Sequence, residues 1–326
     1  MMELSKYSKY INDLLKEKAS EKILSVLFID GDDKRAREAA KYLKEHNLAK
    51  PIMLLETKDQ IVEDGLENLV LEDLTVQKDA YALKLAEIRK GKEDYATVRK
   101  YLDTRPFYGA MMLRNKDIDS AVGGLIYSTA DILRAAFKSI GPKPGIKTIS
   151  SLIIMHKDDE KFIITDPSTV EKPTAEQIVD IAKNATEFAR TMKMNDLAGF
   201  LTYSTNGSGK GENPDLVRKA VALASEDSYL NIIKGEMQFD SAYNLDVRKQ
   251  KFPSAPQKEL GIYVYPNLES CNIGYKMAQR LGKYGAVGAI IQGVNAAIND
   301  FSRGATVQDV IDVTSITILK GYDFLK

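Results

Sequence analysis

Lys22-Ile23-Leu24-Ser25-Val26-Leu27-Phe28-Ile29, followed at once by Asp30-Gly31-Asp32-Asp33, decides how this chain is read. A short apolar run rich in branched side chains and closed by a polar, glycine-containing turn reads as a buried strand. Asp32 or Asp33 then caps a helix over 34–46, because a side-chain oxygen at that position accepts from the free N–H groups of a first turn. Pro51-Ile52-Met53-Leu54-Leu55 returns as a second strand, which completes a strand-helix-strand unit. Upstream, residues 4–18 read as an exposed helix. Downstream, the alternation continues to about Ile140 and argues for a largely parallel sheet with helices on both faces.

Gly141-Pro142-Lys143-Pro144-Gly145 interrupts this pattern, because two prolines and two glycines in five residues continue neither a helix nor a strand. It marks a crossing into a second domain. Apolar strands follow at 151–155 and 162–165, then a helix capped by Thr174 with Gln177 in the capping-box position, then a buried strand at 197–201. The second domain is therefore again α/β.

The chain has 326 residues, enough for about two domains, with 46 basic and 46 acidic side chains. That balance gives no overall field for nucleic acid or an anionic membrane. The single cysteine, Cys271, excludes an internal disulfide, the first residues lack the apolar core of a signal peptide, and no apolar run approaches a membrane span, so a cytoplasmic protein is expected. His46 and His156 are the only histidines and read as structural. With one cysteine they build no common zinc site, and a Ser-His-Asp hydrolase is not expected.

The polar stretch Asn299-Asp300-Phe301-Ser302-Arg303-Gly304 is where chemistry is expected. Thr306 is a good N-cap, and Val307, Val310, Ile311 and Thr314 follow at helical spacing, so Ser302 and Arg303 precede the positive end of a helix. Gly304 supplies backbone freedom there. An anion at that point meets free N–H groups and a guanidinium fork. Thr306-x-x-Asp309 is equally a capping-box variant in which Asp309 only satisfies backbone donors. Thr205-Asn206-Gly207-Ser208-Gly209-Lys210-Gly211 resembles a phosphate loop but fails the Walker pattern, since Ser204 stands where glycine is needed and Gly211 where serine or threonine is needed.

Taken together, Gly235-Glu236-Met237-Gln238-Phe239-Asp240, Pro266-Asn267-Leu268, Asn272-Ile273-Gly274-Tyr275-Lys276, Gln292-Gly293 and the 299–304 stretch resemble the phosphate acetyltransferase (phosphotransacetylase) family in order and spacing. The 30–35 loop, Arg89-Lys90-Gly91-Lys92, Thr129-Ala130-Asp131-Ile132-Leu133-Arg134, Lys147-Thr148-Ile149-Ser150-Ser151 and Tyr203-Ser204-Thr205 extend the resemblance over nearly the whole chain. The sequence departs from the family at Asp166-Pro167-Ser168-Thr169-Val170, at Cys271 and at Ala296-Ala297.

The resemblance implies two α/β domains with mostly parallel sheets and a cleft between them, similar to the isocitrate/isopropylmalate dehydrogenase-like fold. The first would comprise 1–142 and 294–326, the second 143–293, with the Ser302 motif in the cleft. It implies reversible transfer of an acetyl group between coenzyme A and inorganic phosphate, with coenzyme A or acetyl-CoA as substrate, no permanently bound cofactor and no metal. Asp309, Ser302 and Arg303 would be catalytic. Arg89, Arg134, Thr129, Ser128 and Asn299 would bind substrate. A homodimer in acetate metabolism, with no nucleic-acid or membrane partner, is implied as well.

An ordinary carboxylate taking a proton from a thiol is opposed by roughly 6 kcal/mol, so the proton is expected to move in concert with thiol attack. Competing readings are a phosphate butyryltransferase, a non-catalytic coenzyme-A-binding relative, and a metal-dependent 2-hydroxy-acid dehydrogenase. The last would need a nicotinamide site and clustered aspartates that the sequence does not offer.

Overall fold

The Ser25–Phe28 run forms β1 in a computed structural model of the chain, which describes residues 5–325. Before it lies α1 (Lys6–Ala19), capped by Ser5; Leu4, where the sequence starts this helix, is outside the described residues. The helix is not exposed. Tyr7, Ile11, Leu15 and Ala19 make a buried stripe at helical spacing, so α1 is amphipathic. After β1 come α2 (Lys34–Glu45), β2 (Lys50–Leu55), β3 (Glu67–Val70), α3 (Thr75–Ile88), α4 (Tyr95–Tyr101), α5 (Arg105–Asn115), β4 (Ser120–Gly123) and α6 (Thr129–Ser139). Asp33 is the residue that caps α2, its carboxylate accepting from the N–H of Arg35 at 2.8 Å. Asp32 is free for another role and pairs with the buried Arg105.

The next stretch contains β5 (Ser150–Lys157), β6 (Glu160–Thr165), α7 (Ala175–Thr191), β7 (Ala198–Leu201), α8 (Glu212–Ser225), β8 (Ile232–Met237), α9 (Phe239–Tyr243), α10 (Leu245–Lys251), β9 (Ile262–Val264), α11 (Leu268–Arg280) and β10 (Gly285–Gln292). Thr174 caps α7 through the expected box with Gln177. The chain ends with β11 (Ala297–Asp300) and α12 (Val307–Gly321). It folds as two compact units, one formed by Gly145–Gly293 and the other by the residues on either side of that stretch. No helix among the described residues is long and apolar enough to cross a membrane.

Each unit has its own sheet. The flanking unit has the order β11-β4-β1-β2-β3, parallel throughout. The 145–293 unit has the order β10-β5-β6-β9-β7-β8. Every strand of it but β5 runs in one direction; β5 is antiparallel to both its neighbours, β6 and β10, and Asp158, in a left-handed conformation, turns the chain back tightly from β5 into β6. Its core includes Ile153, Phe162, Leu201, Ile233, Tyr263 and Cys271. Burial drives the Cys271 thiol well above its ordinary pKa, so it is no ready nucleophile.

In the five-stranded sheet, the loop after β1 leads to α2 and moves toward β2, while the loop after β4 leads the other way, toward β11. Loops that diverge like this leave a crevice at the carboxyl edge of the strands, the usual ligand position in open α/β sheets. α12 packs against α1, α2 and the sheet, so residues 310–321 are all buried. Its first turn alone reaches the surface, beside those loops.

Candidate active site

Thr306 takes an extended conformation and caps α12 through a complete capping box. Its backbone N–H and its hydroxyl both donate to Asp309 Oδ2 at 2.8 Å, and the Asp309 N–H donates to Thr306 Oγ1 at 3.2 Å. The cap is therefore real, yet it engages one carboxylate oxygen. Asp309 Oδ1 has no hydrogen bond among the described residues. Capping and chemistry are thus compatible, and the cap also aims the carboxylate.

Ser302 and Arg303 are exposed just before this turn. Ser302 Oγ accepts a long bond from the Gly304 N–H at 3.4 Å, and its hydroxyl proton has no acceptor among the described residues. Gly304 does not need glycine's conformational range: its φ is not positive, and an added Cβ would meet only Ser302 Oγ at 3.9 Å. The Arg303 guanidinium makes no hydrogen bond or ion pair among the described residues. Its carbonyl, by contrast, is held. Arg35 Nη1 donates to the carbonyls of Arg303 at 2.8 Å and Ala305 at 3.0 Å, while Nε and Nη2 of Arg35 are gripped by Asp33. Arg35, engaged in four of the five N–H directions a guanidinium has, supports the loop. Arg303 is left to meet an anion.

The α6 start lies across the same strand ends. Ser128 is its N-cap, and its hydroxyl donates to Asp131 at 2.6 Å, the first of the contacts that hold Asp131 below the usual carboxylate range. Thr129 Oγ1 donates to Asp300 Oδ2 at 2.5 Å. Both hydroxyl protons are thus committed to carboxylates. Arg134 is exposed on α6 and 3.2 Å from Asp131. Arg89 ends α3 and donates to Glu93 at 2.8 Å. Glu93 is partly desolvated, which would raise its pKa, but bonds from Lys138 of α6, Tyr101 and Arg89 prevail and bring it to about 2. Glu93 therefore links the Arg89 end of α3 to α6, the helix that carries Arg134.

Asn299 corrects an expectation. It is fully buried in β11 and its amide donates to Thr317 of α12 at 2.7 Å, so its side chain packs the helix onto the sheet and offers no exposed contact to substrate. Three acidic groups to which the sequence assigns no role of their own are perturbed by burial. Burial raises Asp300 to about 6 against the bond from Thr129. It also raises Asp312 to about 6, against bonds from Ser8 of α1 and Gln308. Asp30, also raised by burial, accepts from the Leu125 N–H at 2.8 Å. For Asp300 the reason lies in the fold: β11 is buried at every position, and a carboxylate in such a strand calls for an explanation.

Beside the Thr205–Gly211 loop the protein supplies an internal anion, Glu236. Ser204 Oγ, the Gly207 N–H and Arg218 all donate to Glu236 Oε1, at 2.8, 2.8 and 2.9 Å.

A model of the phosphate acetyl/butaryl transferase family matches residues 10–318. The phosphate acetyltransferase of Mycoplasma capricolum is 33% identical over 304 residues, covering 91% of this chain and 94% of its own. That of Staphylococcus aureus is 34% identical over 318 residues, covering 94% and 97%. A phosphotransacetylase structure from Streptococcus pyogenes has a TM-score of 0.88 at 32% identity, covering 98% of this chain and 100% of its own. Sequence and fold agree from end to end with enzymes of one kind, and this chain, an acyltransferase, belongs to the phosphate acetyl/butaryl transferase family.

Proposed function

We propose that the protein catalyses reversible acetyl transfer between coenzyme A and inorganic phosphate, acetyl-CoA and phosphate giving acetyl phosphate and coenzyme A. One observation carries this reading. A guanidinium with no internal partner, Arg303, shares a short exposed segment with a carboxylate, Asp309, of which one oxygen is fixed by a cap and the other unengaged.

In the direction of thioester synthesis, the coenzyme A sulfur attacks the acetyl carbonyl of acetyl phosphate. The sulfur–carbon bond forms, the carbon–oxygen bond to phosphate breaks, and phosphate leaves with the electron pair. The thiol proton passes to Asp309 Oδ1 as attack proceeds and is then handed to the departing phosphate, which restores the carboxylate. Arg303 pairs its fork with the phosphate oxygens, and the Ser302 hydroxyl donates to the carbonyl oxygen as negative charge develops there, an interaction strongest in the transition state. Arg134, whose exposed pair with Asp131 is weak, exchanges that partner for a phosphate of coenzyme A, and Arg89 serves the same end.

The named relatives support acetyl over butyryl as the acyl group. The enzyme works as a cytoplasmic homodimer, on the strength of the family resemblance, and light scattering at micromolar concentration checks the dimer. The deciding assay follows thioester formation from acetyl phosphate and from butyryl phosphate, without metal or nicotinamide. A higher kcat/KM for butyryl phosphate reassigns the substrate, and coenzyme A binding without turnover makes the chain a non-catalytic relative.

A further inference from the structure

Asp300 ends β11 opposite Gly123 of β4, two residues before Ser302. The chain is tightly held at this point. Phe301 donates its N–H to the Gly123 carbonyl at 2.7 Å. Gly124, at φ +108°, passes so close that a Cβ there would lie 2.9 Å from the Phe301 backbone and 3.3 Å from Asp300 Cβ. The carboxylate is 8% exposed and forms no ion pair among the described residues. What it does have is the Thr129 hydroxyl at 2.5 Å, from the first residue of α6, whose positive end also favours a negative charge.

A buried carboxylate without a cation costs more than an amide that could accept the same hydrogen bond, so stability alone does not explain an aspartate here. Its place does offer an explanation. The bond joins two segments that the proposed reaction needs in register: the turn with Ser302 and Arg303, and the helix that carries Arg134.

We propose that Asp300 is a positioning residue for the transfer reaction, fixing the Ser302–Arg303 turn against the start of α6 by accepting the Thr129 hydroxyl. The inference rests on the functional reading above. It also gives Thr129 a different role from direct substrate contact, because its proton is already engaged.

A double-mutant cycle tests it, with melting temperature recorded for every variant. Asp300→Ala and Thr129→Val should each lower kcat about tenfold or more and raise the KM for acetyl phosphate, since misplacement by about 1 Å is enough for losses of that order. The KM for coenzyme A should rise less than that for acetyl phosphate, because the turn addresses the phosphate and the carbonyl while α6, which carries Arg134, is also anchored by its packing on α5. Thr129→Ser, which keeps the hydroxyl, should restore turnover. The double variant should be no worse than Asp300→Ala alone, since both changes break one contact. If the two losses multiply, Thr129 acts on substrate directly and the proposal fails. It fails equally if Thr129→Ser is as impaired as Thr129→Val, or if both single variants change only the melting temperature. A wild-type protein without turnover overturns the functional reading itself, and the inference with it; additive losses in an active enzyme overturn the inference alone.

Discussion

Two glycine-containing loops in this chain look alike on paper and differ in what their donors do. The 301–306 loop follows β11 and leads into α12; the Thr205–Gly211 loop follows β7 and leads into α8. Around the second, a hydroxyl, a backbone N–H and Arg218 converge on the buried Glu236, while Gly209 N–H donates to Ser204 and Thr205 N–H to Ser208. The hydroxyl and backbone donors named here are satisfied internally, while the exposed Lys210 and Asn206 side chains of the same loop have no partner among the described residues. Around the first, Arg35 and Thr306 hold backbone and cap, leaving the Arg303 fork, the Ser302 proton and Asp309 Oδ1 unengaged. Glycine and hydroxyl content marks both loops as able to bind anions; the difference is that the arginine beside the second is paired with a carboxylate and the arginine of the first is not, among the described residues.

The sharpest way to break this contrast is Asp309→Asn. Asparagine retains a capping oxygen but cannot take the thiol proton, so kcat should fall by about 100-fold or more while the melting temperature holds. Equal activity with only a changed melt would leave Asp309 as a helix cap and nothing else.

Arginine substitutions compare the two loops directly. Arg303→Lys should lower kcat/KM for acetyl phosphate by roughly ten- to a hundredfold with little change in stability, because a point charge cannot form the planar fork. Glu236→Gln in the other loop should do the reverse: it loses charge-assisted bonds in a buried setting, costs about 2 kcal/mol in denaturant melts, and leaves activity per folded molecule unchanged. If Glu236→Gln impairs turnover in proportion to Arg303→Lys, the second loop is functional too.

The helical turn that follows Asp309 adds a pH test. Asp312 has a pKa of about 6 in the folded protein, above its unfolded value. Its burial as an anion therefore weakens the fold at neutral pH, and this penalty is relieved as pH falls from about 6 toward 4. Asp312→Asn removes the titration, so its stability relative to wild type should be most favourable at pH 7 and decline by roughly 2 kcal/mol by pH 4. A gap that does not change with pH would refute this assignment.

Thr306→Ala should show the smallest effect, about 1 kcal/mol of stability and a few-fold in kcat. The rate loss is expected because the Thr306 hydroxyl donates to Asp309 and helps to orient it.

The difference between local and distant contacts also explains what the sequence could reveal. The Thr306–Asp309 box lies within one helical turn, so residue type and spacing were enough to see it. β1 and β2 were legible because an apolar run between polar turns has few other uses. The buried side of α1 was visible in Tyr7, Ile11 and Leu15, but Ser8 and Asn12 beside them gave it a polar cast; Ser8 is buried because it donates to Asp312 at 2.7 Å. The antiparallel β5–β6 pair depends on the tight turn at Asp158, where no glycine marks the left-handed residue. Asn299 belongs to a polar motif, yet its partner is a helix residue eighteen positions on, which local sequence does not announce. Arg35 with Arg303, and Thr129 with Asp300, meet only when the sheet assembles, so no local pattern announces them.

The position of β11 has a consequence for how the enzyme is made. Thr129 and Asp300 are 171 residues apart, and β4 pairs with β11 only after the whole Gly145–Gly293 unit has been translated. At about 5–20 residues per second, the ribosome takes roughly 9–34 s to cover that distance. For that time the β4 edge of a nascent sheet is open to pairing with other chains, a hazard for chaperones to cover. During the same interval Arg89 and Arg134 already exist while Ser302, Arg303 and Asp309 do not, so a nascent chain can acquire its outlying cations well before it can carry out any transfer.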